Sequence, residues 1–461
     1  MNKLQTAKAD IFYYDIGDYL SREEKLSIIR NFRSVNNPAI QWKQLTPNEQ
    51  GDWINQRNDL FSSFIPLAPE KKFDNHAQSL FSTYAIGVAT NRDAWVYNYS
   101  NEKLNKNMRA MISFYNKQAD LFQKQEIELD NDPSKISWTV NLKKDIEKNI
   151  KHTFDKNYII NSIYRPYCKQ NLYFDYNFIE RPGIHAKLFP TSDTKNLLIC
   201  VHGLGGSKPF STLITDCIPD LNSLEAGSQC FPLYWYEKKT SIQGELIEQT
   251  ADEYIRRDGL SDFILSRAQA QYGKNIGKED IFYFVYGFLH SPDYRVKFAN
   301  DLKKMLPRLP LVDSPEDFWR FSKAGRALAK LHLHYETVPP CPEVKVTGAE
   351  SKQYKVEKMK FPAKDRKDTI IYNSTITIEN IPEKAYLYVV NGKSAIEWIM
   401  ERYAVTTHNE SGIKNDPNDW AKEHDKPRYI LDLLLSVINV SVQTVDIVAG
   451  LPKVEWEKII D

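Results

Sequence analysis

Apolar positions change their spacing several times along the chain, and the changes outline its parts. Leu26, Ile29 and Phe32 recur at helical spacing behind Ser21-Arg22-Glu23-Glu24, whose Ser and Glu form a capping box. Thr46-Pro47-Asn48-Glu49 offers a second helix start, from which Trp53, Ile54 and Leu60 would project. From about residue 80 the spacing shortens. The stretches 81–88 and 94–97 read as strands around a polar turn, Thr90-Asn91-Arg92-Asp93. A helix is expected from about Glu102 to Gln125, with Leu104, Met108, Met111, Tyr115 and Phe122 as a core stripe. Residues 140–151 read as a lysine-rich helix, and 158–240 as strands and turns of a strongly bent sheet. Helical spacing returns from about 255, with Ser314-Pro315-Glu316-Asp317 as a clear start. Residues 353–360 and 368–379 look like a strand pair, and closing helices are expected in 394–403 and 427–459. The fold class is α+β. A helical connector (1–70) precedes a two-lobed part, strand-rich over 71–255 with a mostly antiparallel sheet and helix-rich over 256–461.

Composition narrows the function classes. At 461 residues the chain exceeds what a single hydrophobic core usually organises, and 42% hydrophobic residues exclude wholesale disorder. Lys and Arg total 61 against 60 Asp and Glu, so a uniformly basic nucleic-acid coat is excluded while local patches are not. The five cysteines include no C-x-x-C pair, which fits a reducing cytosol and argues against a disulfide framework. The N-terminal residues show no basic segment followed by an apolar run. The longest apolar stretch, Leu431 to Val440, is interrupted by Asp432, Ser436 and Asn439 and reads as too short to span a bilayer. A cytoplasmic protein without a membrane partner is expected.

Two short motifs suggest chemistry. Leu198 to Val201 runs into His202-Gly203-Leu204-Gly205-Gly206, similar to the oxyanion loop of esterases, but no G-x-S-x-G elbow follows. The same loop, continued by Lys208, could hold a phosphate on its backbone amides. Pro219-Asp220 and Glu237-Lys238-Lys239 satisfy the loose pattern of Mg²⁺-dependent nucleases. In that reading Asp220 and Glu237 would bind the metal and Lys239 would position water. The pattern is short enough to arise by chance, and a solvated strand end is the simpler explanation of Glu237 and Lys239. Neither a phosphate-binding G-x-x-x-x-G-K-[ST] nor an amino-methyltransferase N-P-P-[YF] loop is present. Basic residues nevertheless cluster in three stretches, around Lys143–Lys151, Arg295–Arg308 and Lys352–Lys367, with interleaved aromatics that suit a folded nucleic-acid surface.

Several longer motifs then fall into one order. These are residues 89–97 (ATNRDAWVY), 164–167 (YRPY), 205–210 (GGSKPF) with 229–234 (QCFPLY), 286–295 (YGFLHSPDYR) and 388–398 (YVVNGKSAIEW). The set resembles the C-terminal target recognition region of type ISP restriction-modification enzymes. Tyr14 to Lys25 is similar to the segment that follows the methyltransferase in that family. Its members fuse a nuclease, a helicase-like ATPase, an adenine-N6 methyltransferase and this recognition region.

The resemblance implies sequence-specific binding of double-stranded DNA on behalf of a methyltransferase and helicase-nuclease module, in the same polypeptide or another subunit. It also implies that S-adenosylmethionine, ATP and Mg²⁺ belong to those modules, with no cofactor and no catalytic residue in this chain. Base or near-base contacts are expected from Asn91, Arg92, Arg165 and Lys169. Phosphate contacts are expected from Arg181, Gly205, Gly206 and Lys208. The Mg²⁺-dependent nuclease built on Asp220, Glu237 and Lys239 is the alternative, and a protein-interaction scaffold is a third possibility.

Overall fold

The computed structural model describes residues 9–17, 20–74, 76–124, 128–239 and 253–456. Asp18 and Tyr19 of the Tyr14–Lys25 motif, Gln125 at the expected helix end and residues 457–459 lie outside them. The chain divides into two compact units, Met1–Ser62 and Ser63–Asp461.

In the first unit, strand Ile11–Tyr13 pairs antiparallel with Lys43–Leu45, and helix Arg22–Phe32 lies between them in sequence. The capping box forms as expected. Ser21 N–H donates to Glu24 at 2.7 Å, and Glu24 N–H donates to the Ser21 hydroxyl at 3.2 Å. No helix starts at Pro47. Instead the Asn48 side chain accepts from the backbone of Gln50 and Asp52, a local alternative that competes with helix formation. Trp53 and Ile54, expected on a helix face, are exposed.

Two four-stranded sheets organise the second unit. One runs in the order Ile218–Pro219, Ile159–Arg165, Cys168–Tyr173, Tyr97–Asn98, and only its Ile218–Pro219 edge is parallel. The other is antiparallel throughout, in the order Ala85–Ile86, Gln229–Pro232, Leu198–Val201, Thr212–Thr215. The Tyr-Arg-Pro-Tyr motif is the hairpin loop of the first sheet. Pro166 fixes the turn and Tyr167 takes a left-handed φ of 59°. That strain is retained because the Tyr167 ring is buried, with its hydroxyl 2.7 Å from that of Tyr388.

One hydrophobic cluster draws on Tyr167, Leu198 and Leu213 from the strand-rich part together with Ile370, Ile399 and Leu434 from the helix-rich part. The parts expected over 71–255 and 256–461 therefore share a core. A second cluster forms where helix Asn101–Gln123 buries Leu104, Met108, Met111 and Tyr115 against Tyr173 and Phe178. The expected core stripe is thus a core stripe.

The helix-rich part follows its start signals. Ser314 caps helix Pro315–Leu333, accepting from Asp317 N–H at 3.0 Å. Residues 353–360 do not form the expected strand; the sheet there is Lys345–Thr347, Thr377–Glu379 and Ile370–Ile371, and Lys360 contributes one isolated bridge. Helix Tyr429–Ala449 spans 21 residues, longer than the interrupted apolar stretch suggested. Length and composition would let it cross a membrane, but Leu431, Leu434, Val437 and Ile438 are buried in the core, as in a soluble protein's central helix.

The Asn391-Gly392 pair turns a two-residue hairpin between Val389–Val390 and Lys393–Ser394, both residues having positive φ (52° and 81°). Ser394 then caps helix Ala395–Arg402 with Glu397. The 388–398 motif is accordingly a turn and a helix start in sequence.

Candidate nucleic-acid interface

The Thr90–Asp93 turn precedes the short helix Asp93–Val96 and is closed by its own side chains. The Thr90 hydroxyl donates to Asp93, and Arg92 N–H donates to the same hydroxyl at 3.2 Å. Asn91 occupies the left-handed region (φ 53°) with its side chain exposed. Arg92 turns the other way. It is 4% exposed, donates to the Thr139 hydroxyl and lies over the Phe178 ring. Among the described residues its Nε and Nη1 have no hydrogen-bond partner. Burial pulls its pKa down to about 10, against the attraction of Glu180.

Arg165 and Lys169, expected to reach bases, are also held by carboxylates of the chain, buried Asp220 for the first and the more open Glu336 and Asp216 for the second. Arg165 donates to Asp220 at 2.6 Å and stacks its guanidinium 3.9 Å from the Tyr164 ring centroid. The Tyr164 hydroxyl in turn donates to Asp93 at 3.1 Å, which links this pair to the Asn91 turn. Lys169 lies 3.5 Å from Glu336 and 3.8 Å from Asp216. Burial disfavours its charge, but Cys217, Asp216 and Glu336 together raise its pKa.

The glycine loop has an internal anion. Glu225 accepts from Lys208 N–H at 2.7 Å and from the Ser207 hydroxyl at 2.8 Å. Burial opposes ionisation of Glu225, but these donors prevail and lower its pKa. Gly203 is required for close approach, since a Cβ there would stand 1.9 Å from the Ala226 carbonyl oxygen. Gly205 turns with φ 80°, and a Cβ on Gly206 would stand 2.9 Å from the Glu225 carboxylate. The backbone N–H of Lys208 is therefore engaged by a carboxylate, while the Lys208 side chain runs past Gly392 and is exposed. Arg181 is exposed, and its backbone pairs with Ala89 beside the Asn91 turn.

The nuclease pattern does not assemble. Asp220 is buried against Arg165, whereas Glu237 is half exposed on the two-stranded Tyr234–Lys238/Tyr254–Asp258 sheet, paired to Arg257 at 3.2 Å. Among the described residues no group of three or more His, Cys, Asp or Glu side chains could hold a metal ion.

A polar cleft of about 680 Å³ opens beside the Asn91 turn. Asn91, Asp93 and Asn222 line it, together with Thr406, His408 and Glu410. The last three belong to a hairpin, Thr406–Thr407 paired with Lys414–Asn415. Its base is fixed to the first sheet: Asn98 donates to the Lys414 carbonyl at 3.2 Å, Tyr99 N–H to Asn415 at 2.9 Å, and Asn415 to Gln170 at 3.0 Å. Sequence patterning does not find this hairpin, because two-residue strands carry no measurable alternation. The usable signals are Gly412 in the turn and Asp416-Pro417 opening the next helix.

Comparisons with known proteins agree with one another. The model of the type ISP C-terminal specificity domain matches residues 79–433. A nuclease-deletion mutant of the type ISP restriction-modification enzyme LlaGI, solved with a DNA substrate mimic, is 38% identical over 97% of this chain and 39% of its own, with a TM-score of 0.84. The ATP-dependent type ISP enzyme LlaBIII bound to DNA is 39% identical over 97% of this chain and 28% of its own, with a TM-score of 0.87. A DrdV–DNA complex is 29% identical over 96% and 43%, with a TM-score of 0.79. This chain thus spans less than half the length of each of these enzymes. No curated protein matches it. With the expected motifs placed in one fold and the family model covering most of the second unit, the chain belongs to the type ISP C-terminal specificity domain family.

Proposed function

We propose that this chain recognises a specific site in double-stranded DNA, as the target-reading part of a type ISP restriction-modification enzyme. The observation that carries the reading is the polar cleft between the Asn91 turn and the 406–415 hairpin, both fixed to the first sheet, in a chain whose solved relatives were captured on DNA. Asn91 has the side chain that pairs bidentately with adenine, and it stands exposed at the cleft wall. Arg181 and Lys208, also exposed, grip phosphates. Arg92, Arg165 and Lys169 act from behind, shaping the turn and the sheet that present Asn91. Gly205 and Gly206 give the loop its path to Lys208. Methyl transfer, ATP hydrolysis and cleavage, with S-adenosylmethionine, ATP and Mg²⁺, belong to the other modules of such an enzyme.

The purified chain is expected to bind duplex DNA with an affinity that falls steeply as salt rises, and more tightly to one short sequence than to random duplex. Arg181→Ala and Lys208→Ala should each reduce the slope of log affinity against log salt by about one and weaken all sequences alike. Binding that is absent, or indifferent to both salt and sequence, would refute the reading.

A further inference from the structure

Resting on the proposed DNA recognition, we propose that the tip of the 406–415 hairpin reads a base pair directly, with His408 as hydrogen-bond donor and Glu410 as acceptor. The argument begins with the imidazole. Ser411 N–H donates to His408 Nδ1 at 3.2 Å, and the Ser411 hydroxyl lies 3.0 Å from the same nitrogen. That hydroxyl oxygen accepts from Ile413 N–H at 3.3 Å, so its own proton is available to Nδ1. An Nδ1 that accepts these bonds places the ring proton on Nε2. His408 therefore presents a donor of fixed identity at the cleft wall. Ser411, itself buried, is the positioning residue.

The tip is also held in place. His408 N–H donates to the Ile413 carbonyl at 2.9 Å, Gly412 N–H to the His408 carbonyl at 2.8 Å, and Val405 N–H to the Glu357 carbonyl at 2.9 Å. Between these bonds, His408, Asn409 and Glu410 remain exposed. A rigid two-stranded ribbon with a polar tip is a form that enters the major groove of DNA.

Glu410 decides which partner fits. An exposed carboxylate beside a nucleic-acid cleft is repelled by phosphates, so it is suited to DNA only where it meets an amino group. In the major groove, cytosine N4 and adenine N6 are such groups. A donor and an acceptor two residues apart match an edge on which a purine acceptor, N7 or O6, lies beside an amino donor. A G·C pair or an adenine displays that edge. Asn91 lines the same cleft, so two separate polar turns border it.

The test is enrichment of a randomised duplex pool by the purified chain, compared with His408→Phe, His408→Gln and Glu410→Gln. Phenylalanine keeps the ring shape and lacks the donor, so preference at one position should fall about tenfold. Glutamine at 408 can place an amide N–H near the position of Nε2–H and should retain most of that preference. Glu410→Gln should change the base pair favoured at the same or the adjacent position. Affinity for unselected duplex should stay within about twofold for the two His408 variants and should rise for Glu410→Gln, which removes a charge that phosphates repel. Variants that enrich the same sequences as the original chain overturn the assignment while leaving DNA recognition standing. Failure of the original chain to enrich any sequence overturns the reading of function, and this inference with it.

Discussion

Replacing Gly287 with alanine is expected to destabilise the folded chain by about 3 kcal/mol or more, the upper range for overpacking a tight interior contact. Gly287 sits in helix Lys278–Phe288 where it crosses helix Pro315–Leu333. A Cβ at 287 would stand 2.2 Å from the Phe321 carbonyl oxygen, and one at Gly325 would stand 1.8 Å from that of Tyr283. Each glycine thus faces the backbone of the opposite helix, and no side-chain rotation can relieve the clash. The helices cannot simply separate, because Ser322 donates to the Asp280 carbonyl at 2.9 Å and Arg326 pairs with Glu279 and Asp280, each at 2.8 Å. Phe284, Phe318 and Phe321 pack beside the crossing. Gly450→Ala is the control: its φ is −86° and the added Cβ would stand 3.5 Å from the Ile447 carbonyl oxygen, ordinary van der Waals contact. Denaturant unfolding of the full chain checks both. A Gly287→Ala midpoint equal to that of Gly450→Ala would contradict the close crossing.

The same glycine shows what could be read from the sequence and what could not. Gly287 stands in one of the family motifs, so its position was visible, but its physical reason is a partner helix some forty residues away. Local signals carried well. Ser21 with Glu24 and Ser314 with Pro315 specify caps through neighbours within one turn, and both caps form. The Leu104–Tyr115 stripe is periodic, and periodicity reports burial directly. Thr46-Pro47 failed because the Asn48 side-chain oxygen took the backbone N–H groups of Gln50 and Asp52 in place of helical carbonyls.

Charged residues were the least legible part of the site. Arg92, Arg165 and Lys169 resemble surface contacts until Thr139, Asp220 and Glu336 are brought to them by the fold. Likewise nothing adjacent to the glycine loop announced that Glu225 would engage it. The His408 tip carries no readable pattern, since its strands are too short to show a period.

Asp220 supplies the second large effect. Its side chain is 2% exposed and faces Arg165, which is 13% exposed, at 2.6 Å. Asp220 also accepts from Asn222 N–H at 2.8 Å, which shapes the following turn. Asp220→Ala at neutral pH removes both hydrogen bonds and leaves a buried guanidinium short of a partner, at an expected cost of about 3 kcal/mol. Replacing the pair together, as Arg165→Met with Asp220→Leu, should recover most of that loss, because apolar side chains of similar volume carry no desolvation penalty. Acidity gives an independent readout. Burial and the nearby Asp93 push the Asp220 carboxyl from its ordinary 3.8 up to about 6, against the pull of Arg165. The folded state therefore holds this proton more tightly than the unfolded chain does. The resulting stabilisation is complete below the ordinary carboxylate range and is lost as pH rises through about 6. Asp220→Asn, which cannot ionise, should flatten the stability profile between about pH 4 and 6. Identical profiles for Asp220→Asn and the original chain would show that Asp220 ionises as freely in the fold as in water, and the account of a buried carboxyl crowded by Asp93 would then fail.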